Sequence, residues 1–404
     1  MTTPRVALIG ANGHGRWHRR SIAELQATGA LRLVAVAEPN PLDPDPPLPP
    51  DVAVYPGHLE LLAAARPDVV VIASPPHTHL SITLDVLAAG ADVLLEKPPV
   101  PTLAEHHELT EAVQRTGRIC QVGFQALGST ASATLFQAIA EKKLGTVTAV
   151  ATVASWRRDD AYYARAPWAG RRTVNGRPVV DGALANPLAH ALMQCLAAAD
   201  AAGAGQPLSM QLERYRTRDI EADDTTFARI TFDGGLRLMA AVTLAGEDFI
   251  AGEVIVRGTA GRAILEYPTD RLALRGDPEP VVVPGRTNLL ANLLAHRATP
   301  AIPLVVPLSR TESFTAVLQA LTSPQLAAPT LLGPPHAETH GGERVIPGIN
   351  AILRRTAGSL ALPSESDVPW AQKPTLVRIP AGRRPVHHPS VVRGHPEAAH
   401  HRLS

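Results

Sequence analysis

The first 125 residues alternate between two hydrophobic periods, and this alternation limits the possible folds more than any other feature of the chain. Short apolar runs such as "RVALIG" (5–10), "LRLVAVAE" (31–38) and "DVVVIASPP" (68–76) have the composition of strands that are covered on both faces. Stretches with helical spacing lie between them, beginning with "HGRWHRRSIAELQATG" (14–29). Strand and helix patterns joined by short connections indicate βαβ units, so we predict an α/β domain with a parallel sheet over residues 1–125.

The pattern changes after this point, which predicts a second domain over residues 126–360. Runs of alternating polar and apolar residues stand at 209–217, 225–233, 235–245, 252–258 and 261–266. Such runs joined by turns predict an open, mostly antiparallel sheet in an α+β domain. Helical spacing returns in three segments, near 286–297, 309–322 and 346–358. The tail over residues 378–404 is rich in Pro, Arg and His, and we expect it to be disordered.

Composition narrows the class of protein. The 404 residues carry a formal net charge of +1, which gives no long-range attraction to nucleic acid or to an anionic membrane. No apolar run approaches the ~20 residues that a membrane span requires, and the first residues enter a strand pattern directly, without room for a signal peptide. Two cysteines, Cys120 and Cys195, cannot form a disulfide framework. We therefore expect a cytoplasmic protein.

The sequence "LIGANGHGRWH" closes the first predicted strand and opens the first predicted helix. Gly10, Gly13 and Gly15 stand close to the spacing G-x-G-x-x-G, where a tight turn brings backbone amides against a phosphate at a helix N-terminus. Asn12 replaces the middle glycine; because Asn tolerates positive φ better than other non-glycine residues, we expect the turn to be retained. Glu38 ends the second strand, where a carboxylate can accept hydrogen bonds from a ribose diol and repel a 2′-phosphate. These features favour NAD over NADP; the alternative is a simple helix start and a solvated strand end.

A second candidate site follows the fifth apolar run, where "ADVLLEKPPV" (91–100) ends in a charged pair and two prolines. Of the 38 basic residues only four are lysine. Lys97 is therefore a mild sign of chemistry, because the pKa of lysine can be lowered toward neutrality whereas arginine stays protonated. Glu96 and Lys97 would lie at the carboxyl edge of a parallel sheet, where ligands bind. The alternative is a solvated strand end followed by a proline stop.

Taken in order, these motifs, with "ASPPHTH" (73–79) and the "GTVTAV" run, resemble the glucose–fructose oxidoreductase / inositol dehydrogenase / MocA (Gfo/Idh/MocA) family over residues 4–360. The resemblance implies an NAD-binding Rossmann domain joined to a domain with an open, mostly antiparallel sheet. It also implies an oxidoreductase that acts on a secondary alcohol of a sugar, inositol or related polyol. Glu96-Lys97-Pro98 matches the family's Glu-Lys-Pro motif, in which the lysine faces the substrate hydroxyl and the nicotinamide.

The resemblance implies three catalytic residues. Lys97 would hydrogen-bond the substrate oxygen, His190 would act as general base, and Asn186 would position the substrate. Asn186 stands where family members usually carry an aspartate, four residues before the histidine, and an amide cannot take up a proton. Asp181 is nearby in the sequence, but its spacing does not match that position.

The predicted cofactor contacts are Gly10, Asn12, Gly13, His14, Gly15, Glu38, Ser74, His79, Glu96, Lys97 and Gln125. The predicted substrate contacts are Lys97, Arg157, Tyr163, Arg165, Trp168, Asn186 and His190. Several of them come from the run "SWRRDDAYYARAPW", whose aromatic and guanidinium groups suit stacking on a sugar and recognition of its hydroxyls. A loop at a dimer contact is equally consistent with that composition. We expect no metal site.

Two other functions remain open at the level of the sequence. One is a lyase or glycoside-cleaving enzyme of the same fold, which would retain and recycle its bound NAD. The other is a non-enzymatic nucleotide-binding protein, for which Lys97 would be dispensable. In each case the open sheet of the second domain would expose a broad face, so we expect a homodimer or homotetramer.

Overall fold

A computed structural model describes residues 2–174 and 176–382, and its first domain is built on a six-stranded parallel sheet. The strands are β1 (Arg5–Ile9), β2 (Arg32–Ala37), β3 (Ala53–Tyr55), β4 (Val69–Ile72), β5 (Asp92–Leu95) and β6 (Cys120–Val122). The helices of this domain are α1 (Gly15–Ala27), α2 (His58–Ala65), α3 (His79–Ala88) and α4 (Leu103–Thr116). The strand order is β3-β2-β1-β4-β5-β6, which confirms the predicted α/β fold. The order reverses between β1 and β4, and this reversal defines the crevice where such sheets bind ligands.

The local sequence explains these elements. Every residue of β4 and β5 is buried, as expected for strands that helices cover on both faces. Helix α4 begins with a capping box, in which the Thr102 hydroxyl accepts a hydrogen bond from the Glu105 amide and the Glu105 carboxylate accepts one from the Thr102 amide. The short elements β3 and α2 had no assignment from the sequence.

The second domain is built on a ten-stranded sheet. Its strands and those of two small hairpins are β7 (Val147–Arg157), β8 (Thr173–Val174), β9 (Arg177–Pro178), β10 (Pro207–Arg216), β11 (Thr225–Phe232), β12 (Arg237–Thr243), β13 (Ala245–Gly258), β14 (Gly261–Glu266), β15 (Arg271–Leu274), β16 (Val281–Val282), β17 (Thr330–Leu331), β18 (Glu338–His340), β19 (Glu343–Val345) and β20 (Thr375–Arg378). The remaining helices are α5 (Thr130–Ala140), α6 (Asp160–Ala164), α7 (Ala189–Ala201), α8 (Leu289–Ala298), α9 (Glu312–Leu321) and α10 (Ile349–Ser359). The large sheet runs β16-β15-β14-β13-β7-β12-β11-β10-β17, with β20 beside β10. Only β7/β12 and β10/β17 pair in parallel among the described strands of this sheet, so the mostly antiparallel prediction is confirmed.

Both faces of the large sheet are apolar, and each is covered by a different part of the chain. One face packs with α5 and α7 in a core that continues into the first domain. The other face packs against α10 and the segment that follows it, where Trp370 meets Tyr215 edge to face with ring centroids 4.8 Å apart. The sequence predicted that a broad face would be exposed, but residues of the same chain cover much of it. Homo-oligomerisation stays a prediction.

The chain returns to the first domain after the large sheet. Arg297 of α8 pairs with Asp68 at 3.1 Å and with Asp92, whose buried carboxylate needs a cationic partner. The Gln121 side chain donates a hydrogen bond to the Leu289 carbonyl at 2.6 Å. Part of the range predicted as the second domain therefore packs on the first, and the domain boundaries stay a prediction.

The predicted disordered tail begins inside an ordered strand. Arg378 belongs to β20 and pairs with Ser209, and Ile379 is buried. The rest of that tail, from residue 383 onward, lies outside the described residues. Within the described chain we find no helix with the length and apolar character to cross a membrane.

The packing of α10 on the large sheet can be tested by measuring the free energy of unfolding. Leu353 is fully buried there, whereas Arg355 on the same helix is exposed. We expect Leu353→Ala to lower the free energy of unfolding by about 2–5 kcal/mol, because it leaves a cavity between helix and sheet. Urea unfolding followed by circular dichroism measures the change, with Arg355→Ala as the matched control. Equal stability of the two variants would show that α10 does not contribute to the core.

Candidate functional site at the carboxyl edge of the parallel sheet

The turn between β1 and α1 requires glycine at two positions for reasons of space. A Cβ on Gly10 would lie 2.7 Å from the Ser74 amide nitrogen, and a Cβ on Gly15 would lie 2.0 Å from the Gly10 carbonyl oxygen. Gly10 and Gly13 also have positive φ, at 81° and 54°. Asn12 is not among the described non-glycine residues with positive φ. The two glycines take up the left-handed conformations of the turn.

Asn12 has a different role, which a glycine could not fill. Its Nδ2 donates to the Pro41 carbonyl at 3.0 Å, and its Oδ1 accepts from the Asp43 amide at 2.9 Å. Arg19 of α1 donates to the Asp43 carbonyl at 3.0 Å. The proline-rich segment after β2 is thereby attached to the turn and to the first helix.

Glu38 and two backbone amides make this turn suitable for a nucleotide. Glu38 is 9% exposed, and its carboxylate accepts hydrogen bonds from the amides of Ala11 and Asn12 at 3.0 and 3.2 Å. The next two amides, of Gly13 and His14, donate to no other described residue. A Cβ on Gly13 would meet nothing within 4 Å, so the turn is open at this residue, and both amides lie at the start of a helix. Such amides bind phosphate, and the residues present therefore fit a dinucleotide.

Glu96 is the centre of a hydrogen-bond cluster at the end of β5. Its buried carboxylate accepts from His18 Nε2 at 2.9 Å, from Gln125 Nε2 at 2.6 Å and from the Lys97 amide at 3.0 Å. His14 Nε2 lies 3.4 Å from the same carboxylate. Burial alone would raise the pKa of Glu96, but the hydrogen bonds from His14 and His18 outweigh it and hold the pKa well below its usual range. Glu96 is therefore an anion.

Two residues of this cluster were missed by sequence reasoning. His18 lies one helical turn after His14, and this i, i+4 spacing was the signal that could have found it. Gly123 allows β6 to approach the carboxylate, since a Cβ there would lie 2.6 Å from Glu96 Oε1. The ligand atoms of His14, His18 and Glu96 all lie within 4.8 Å of one another, close enough to hold a metal ion. Hydrogen bonds to the carboxylate already account for this arrangement.

His79 connects two strand ends beneath the site. Its Nδ1 lies 2.9 Å from the Pro98 carbonyl oxygen, and its Nε2 lies 2.8 Å from the Ser74 carbonyl oxygen. Burial lowers the pKa of His79, and these carbonyls oppose that effect. Because both ring nitrogens face backbone oxygens, His79 holds the segment after β4 against the segment that contains the cis Lys97–Pro98 bond. Its predicted contact with a cofactor stays a prediction.

The structure brings the three predicted catalytic residues together. Lys97 Nζ donates to the Asn186 carbonyl and to Asn186 Oδ1, both at 3.1 Å. Burial lowers the pKa of Lys97, whereas the charges of Glu96 and Asp181 raise it. His190, one turn further along, packs edge to face on Phe124 with ring centroids 5.6 Å apart. Its buried Nδ1 has no partner among the described residues. Burial lowers the pKa of His190 to about 3, and the charge of Lys97 adds to the effect.

The aromatic and arginine-rich run lies beside this group. Arg165 stacks on Trp168, with the guanidinium 4.6 Å from the ring centroid. The Tyr163 ring lies under Arg218 at 5.0 Å, and its buried hydroxyl has no partner among the described residues. Arg157 instead donates to the Gly246 carbonyl at 3.1 Å, at the end of the large sheet. The described structure shows no hydrogen bond or ring contact from these predicted substrate contacts to Lys97 or His190.

Comparison with known proteins finds a family match over the first domain. Residues 4–124 match the model of an oxidoreductase family with an NAD-binding Rossmann fold, named GFO_IDH_MocA. Over 124 residues the chain is 29% identical to the rhizopine catabolism protein MocA of Rhizobium meliloti, which covers 31% of this chain and 38% of that protein. Over 108 residues it is 32% identical to inositol 2-dehydrogenase 2 of Paenarthrobacter aurescens, covering 27% of this chain and 32% of the relative. The matched segment thus spans about a third of these curated relatives.

Solved structures show the same fold over a longer stretch. The WlbA dehydrogenase of Bordetella pertussis, in complex with NADH and UDP-GlcNAcA, superposes with a TM-score of 0.65 at 20% identity, over 82% of this chain and 100% of that one. Aldose-aldose oxidoreductase of Caulobacter crescentus, complexed with glycerol, gives a TM-score of 0.62 at 18% identity, over 79% and 96% of the chains. The first domain is therefore an NAD-binding Rossmann domain, joined to a second domain of the kind found in these structures. The family match is confined to residues 4–124, so the chain is similar to the Gfo/Idh/MocA oxidoreductases through its first domain.

The Glu96 cluster predicts a measurable coupling between its carboxylate and His14. The hydrogen bond to Glu96 raises the pKa of His14 above its ordinary 6.5, against the effect of burial. We expect the pKa of His14 to fall in Glu96→Gln, because the anion that stabilises the imidazolium is gone. Imidazole NMR titration measures this change, with His14→Gln to assign the signal.

A matched control is available at an exposed pair. Glu338 lies 3.1 Å from His340 on a hairpin of the second domain, so Glu338→Gln should move only the signal of His340. An unchanged pKa of His14 in Glu96→Gln would show that the two side chains do not interact in solution.

Proposed function

We propose that this protein is an NAD-dependent dehydrogenase that oxidises a secondary alcohol of a sugar, inositol or related polyol. One observation carries the proposal: the Lys97 amine, Asn186 and His190 come together at the carboxyl edge of the parallel sheet, next to a dinucleotide turn. Lys97, Asn186 and His190 are each partly exposed.

The cofactor would be held by the turn and by Glu38. The free amides of Gly13 and His14 would bind the pyrophosphate at the start of α1, and the Glu38 carboxylate would bind the ribose hydroxyls. The charge of Glu38 disfavours a 2′-phosphate, which supports NAD over NADP. When bound, NAD would supply the nicotinamide carbon that accepts a hydride from the substrate.

The structure supports a different division of roles from the one that the sequence suggested for Lys97 and His190. A general base works best when its pKa lies near the operating pH. Burial lowers the pKa of Lys97 toward that range, whereas His190, with a pKa of about 3, is a weak base. We therefore assign proton uptake from the substrate hydroxyl to the Lys97 amine. Neutral His190 would contact the same hydroxyl group through the exposed part of its ring, since its Nδ1 is buried.

The polar surroundings of Lys97 support a substrate with several hydroxyls. Two hydrogens of its ammonium group go to Asn186, so among the described residues a third is available for a substrate oxygen. The stack of Arg165 and Trp168 lies on the loop whose Gly170 amide bonds to Asp181 at 2.7 Å. Aromatic faces and guanidinium groups of this kind bind sugars. Relatives named inositol 2-dehydrogenase agree with this substrate class.

The first test measures nucleotide binding to protein stripped of bound nucleotide. Trp17 is 43% exposed and stacks on His14, so energy transfer from Trp17 reports NADH at the turn. We expect NADH to bind more tightly than NADPH. Glu38→Ala should weaken NADH binding about tenfold and reduce the preference over NADPH, because the ribose acceptor and the repulsive charge are both lost.

The exposed Glu24 on α1 provides the control, and Glu24→Ala should leave both affinities unchanged. If neither nucleotide binds, the proposed function fails. If NAD is retained through purification and turnover yields no net NADH, a lyase or glycoside-cleaving reaction with recycled cofactor is correct instead. Nucleotide binding with no role for Lys97 would indicate a non-enzymatic protein.

The division of roles predicts the pH dependence of alcohol oxidation. The rate should rise with pH as Lys97 loses its proton, at a pH below its ordinary pKa of 10.5. His190 should add no titration step between about pH 5 and 9, since it is neutral throughout. In His190→Gln, kcat/KM should fall about tenfold or more with the rising limb unmoved, and Lys97→Met should abolish turnover. The variant His14→Gln shows whether a titration step in the pH–rate profile comes from His14. If the rise of the rate with pH disappears in His190→Gln, His190 and not Lys97 is the general base.

A further inference from the structure

Asp181 is a buried carboxylate that the proposed mechanism does not yet use. It is 9% exposed and lies on the segment before α7. Its Oδ1 accepts a hydrogen bond from Asn186 Nδ2 at 3.2 Å, and its Oδ2 accepts one from the Gly170 amide at 2.7 Å. No arginine or lysine forms a salt bridge with it in the described part of the chain. A buried carboxylate needs compensating charge in its surroundings.

The compensating charge lies on the far side of Asn186. Lys97 Nζ donates to Asn186 Oδ1 at 3.1 Å, and an ammonium group has no acceptor atom. The amide oxygen must therefore face Lys97, and the amide NH₂ must face a hydrogen-bond acceptor. Asp181 is that acceptor. The contacts of the amide oxygen and those of the NH₂ group therefore require the same orientation of the Asn186 side chain. The partly positive NH₂ end of the amide then faces the carboxylate, and its partly negative oxygen faces the ammonium group. The amide therefore stabilises both charges.

Two carboxylates, Glu96 and Asp181, raise the pKa of Lys97. They differ in the hydrogen-bond donors that surround their negative charge. The negative charge of Glu96 is stabilised by the side chains of His14, His18 and Gln125, which lie within hydrogen-bond range of its carboxylate. Asp181 has only uncharged donors, the Gly170 amide and the Asn186 amide.

The other titratable groups around these two residues do not offset Asp181. His190 and His14 both sense the charge of Lys97, and Tyr162 and Tyr163 sense the charge of Asp181. The imidazole of His190 is neutral, and the two phenols carry no charge at neutral pH. The charge of Asp181 therefore adds to that of Glu96 in stabilising a proton on Lys97.

We propose that Asp181 is a positioning residue, which acts through the Asn186 amide to orient Lys97 and to stabilise the ammonium group formed during the reaction. This inference rests on the proposed function. In the step concerned the substrate O–H bond breaks and an N–H bond forms on Lys97 Nζ, while the hydride leaves the carbon for the nicotinamide. No proton reaches Asp181, since the amide between the two groups does not titrate.

The small number of lysines permits a direct test without nucleotide or substrate. Lysines occur only at 97, 142, 143 and 373, so protein grown with [ε-¹³C]lysine gives four signals, and Lys97→Arg assigns the one of interest. We expect the pKa of Lys97 to fall in Asp181→Asn and to recover in Asp181→Asn/Asn186→Asp, which moves the carboxylate next to the amine. Lys142 and Lys143 serve as internal controls. An unchanged pKa of Lys97 in Asp181→Asn overturns the inference.

Kinetics with the same variants distinguish positioning from a purely structural role. In Asp181→Asn the plateau of kcat should fall about tenfold and the rising limb should move to lower pH, with KM for NAD unchanged. Asparagine at 181 can still accept from the Gly170 amide, so a role limited to that contact predicts normal activity. The proposal is also contradicted if Asp181→Asn loses activity without a shift of the pH–rate profile and the double variant Asp181→Asn/Asn186→Asp does not restore it.

The two experiments separate the inference from the proposed function. If the Lys97 signal shifts as expected but no variant reduces NAD, the electrostatic coupling stands and the dehydrogenase assignment fails. If NAD is reduced and Lys97 is insensitive to Asp181, the assignment stands and the inference fails.

Discussion

The buried, ionised carboxylate of Glu96 is the interaction on which the geometry of the site depends. An anion in this position is stable only with several hydrogen-bond donors around it, and these come from three separate parts of the parallel-sheet domain. His14 and His18 belong to the turn and first helix, the Lys97 amide belongs to the strand end, and Gln125 follows the last strand. The same interaction therefore holds the dinucleotide turn next to the backbone of Lys97. A cofactor bound at the turn and a substrate bound at the lysine would lie side by side for this reason.

The second domain completes the site, because it provides the groups that act on the lysine side chain. Asn186 and His190 flank the start of α7, and that helix packs between the large sheet and the first domain in one continuous core. This shared core places Asn186 against Lys97, two residues that are 89 positions apart in the chain. The opposite face of the large sheet is covered by α10 and the segment after it, so the sheet is supported from both sides within one chain.

Particular residues show how far the sequence could predict the site. The glycines of the turn, Glu38 and the pair Glu96-Lys97 were found because each follows a strand in a regular βαβ pattern, and all such strand ends meet at one edge. The role of the Asn12 side chain was missed, because its hydrogen bonds to the proline-rich segment cannot be read from spacing. Gly123 was missed since its need for a small side chain arises from contact with Glu96. The roles of the predicted substrate contacts on the arginine-rich loop remain predictions.

The sequence by itself determined the alternation of strands and helices, the parallel and antiparallel character of the two sheets and the places where the chain turns. These properties follow from local sterics and hydrophobic period, which act over a few residues. Only the tertiary structure decided which side chains act on Lys97. Asp181 lies at a spacing that matched no motif, yet it reaches the lysine through Asn186 because the two domains pack against each other. The lowered pKa of His190 was likewise beyond the sequence, since burial and a neighbouring charge produce it, and both exist only in the folded chain.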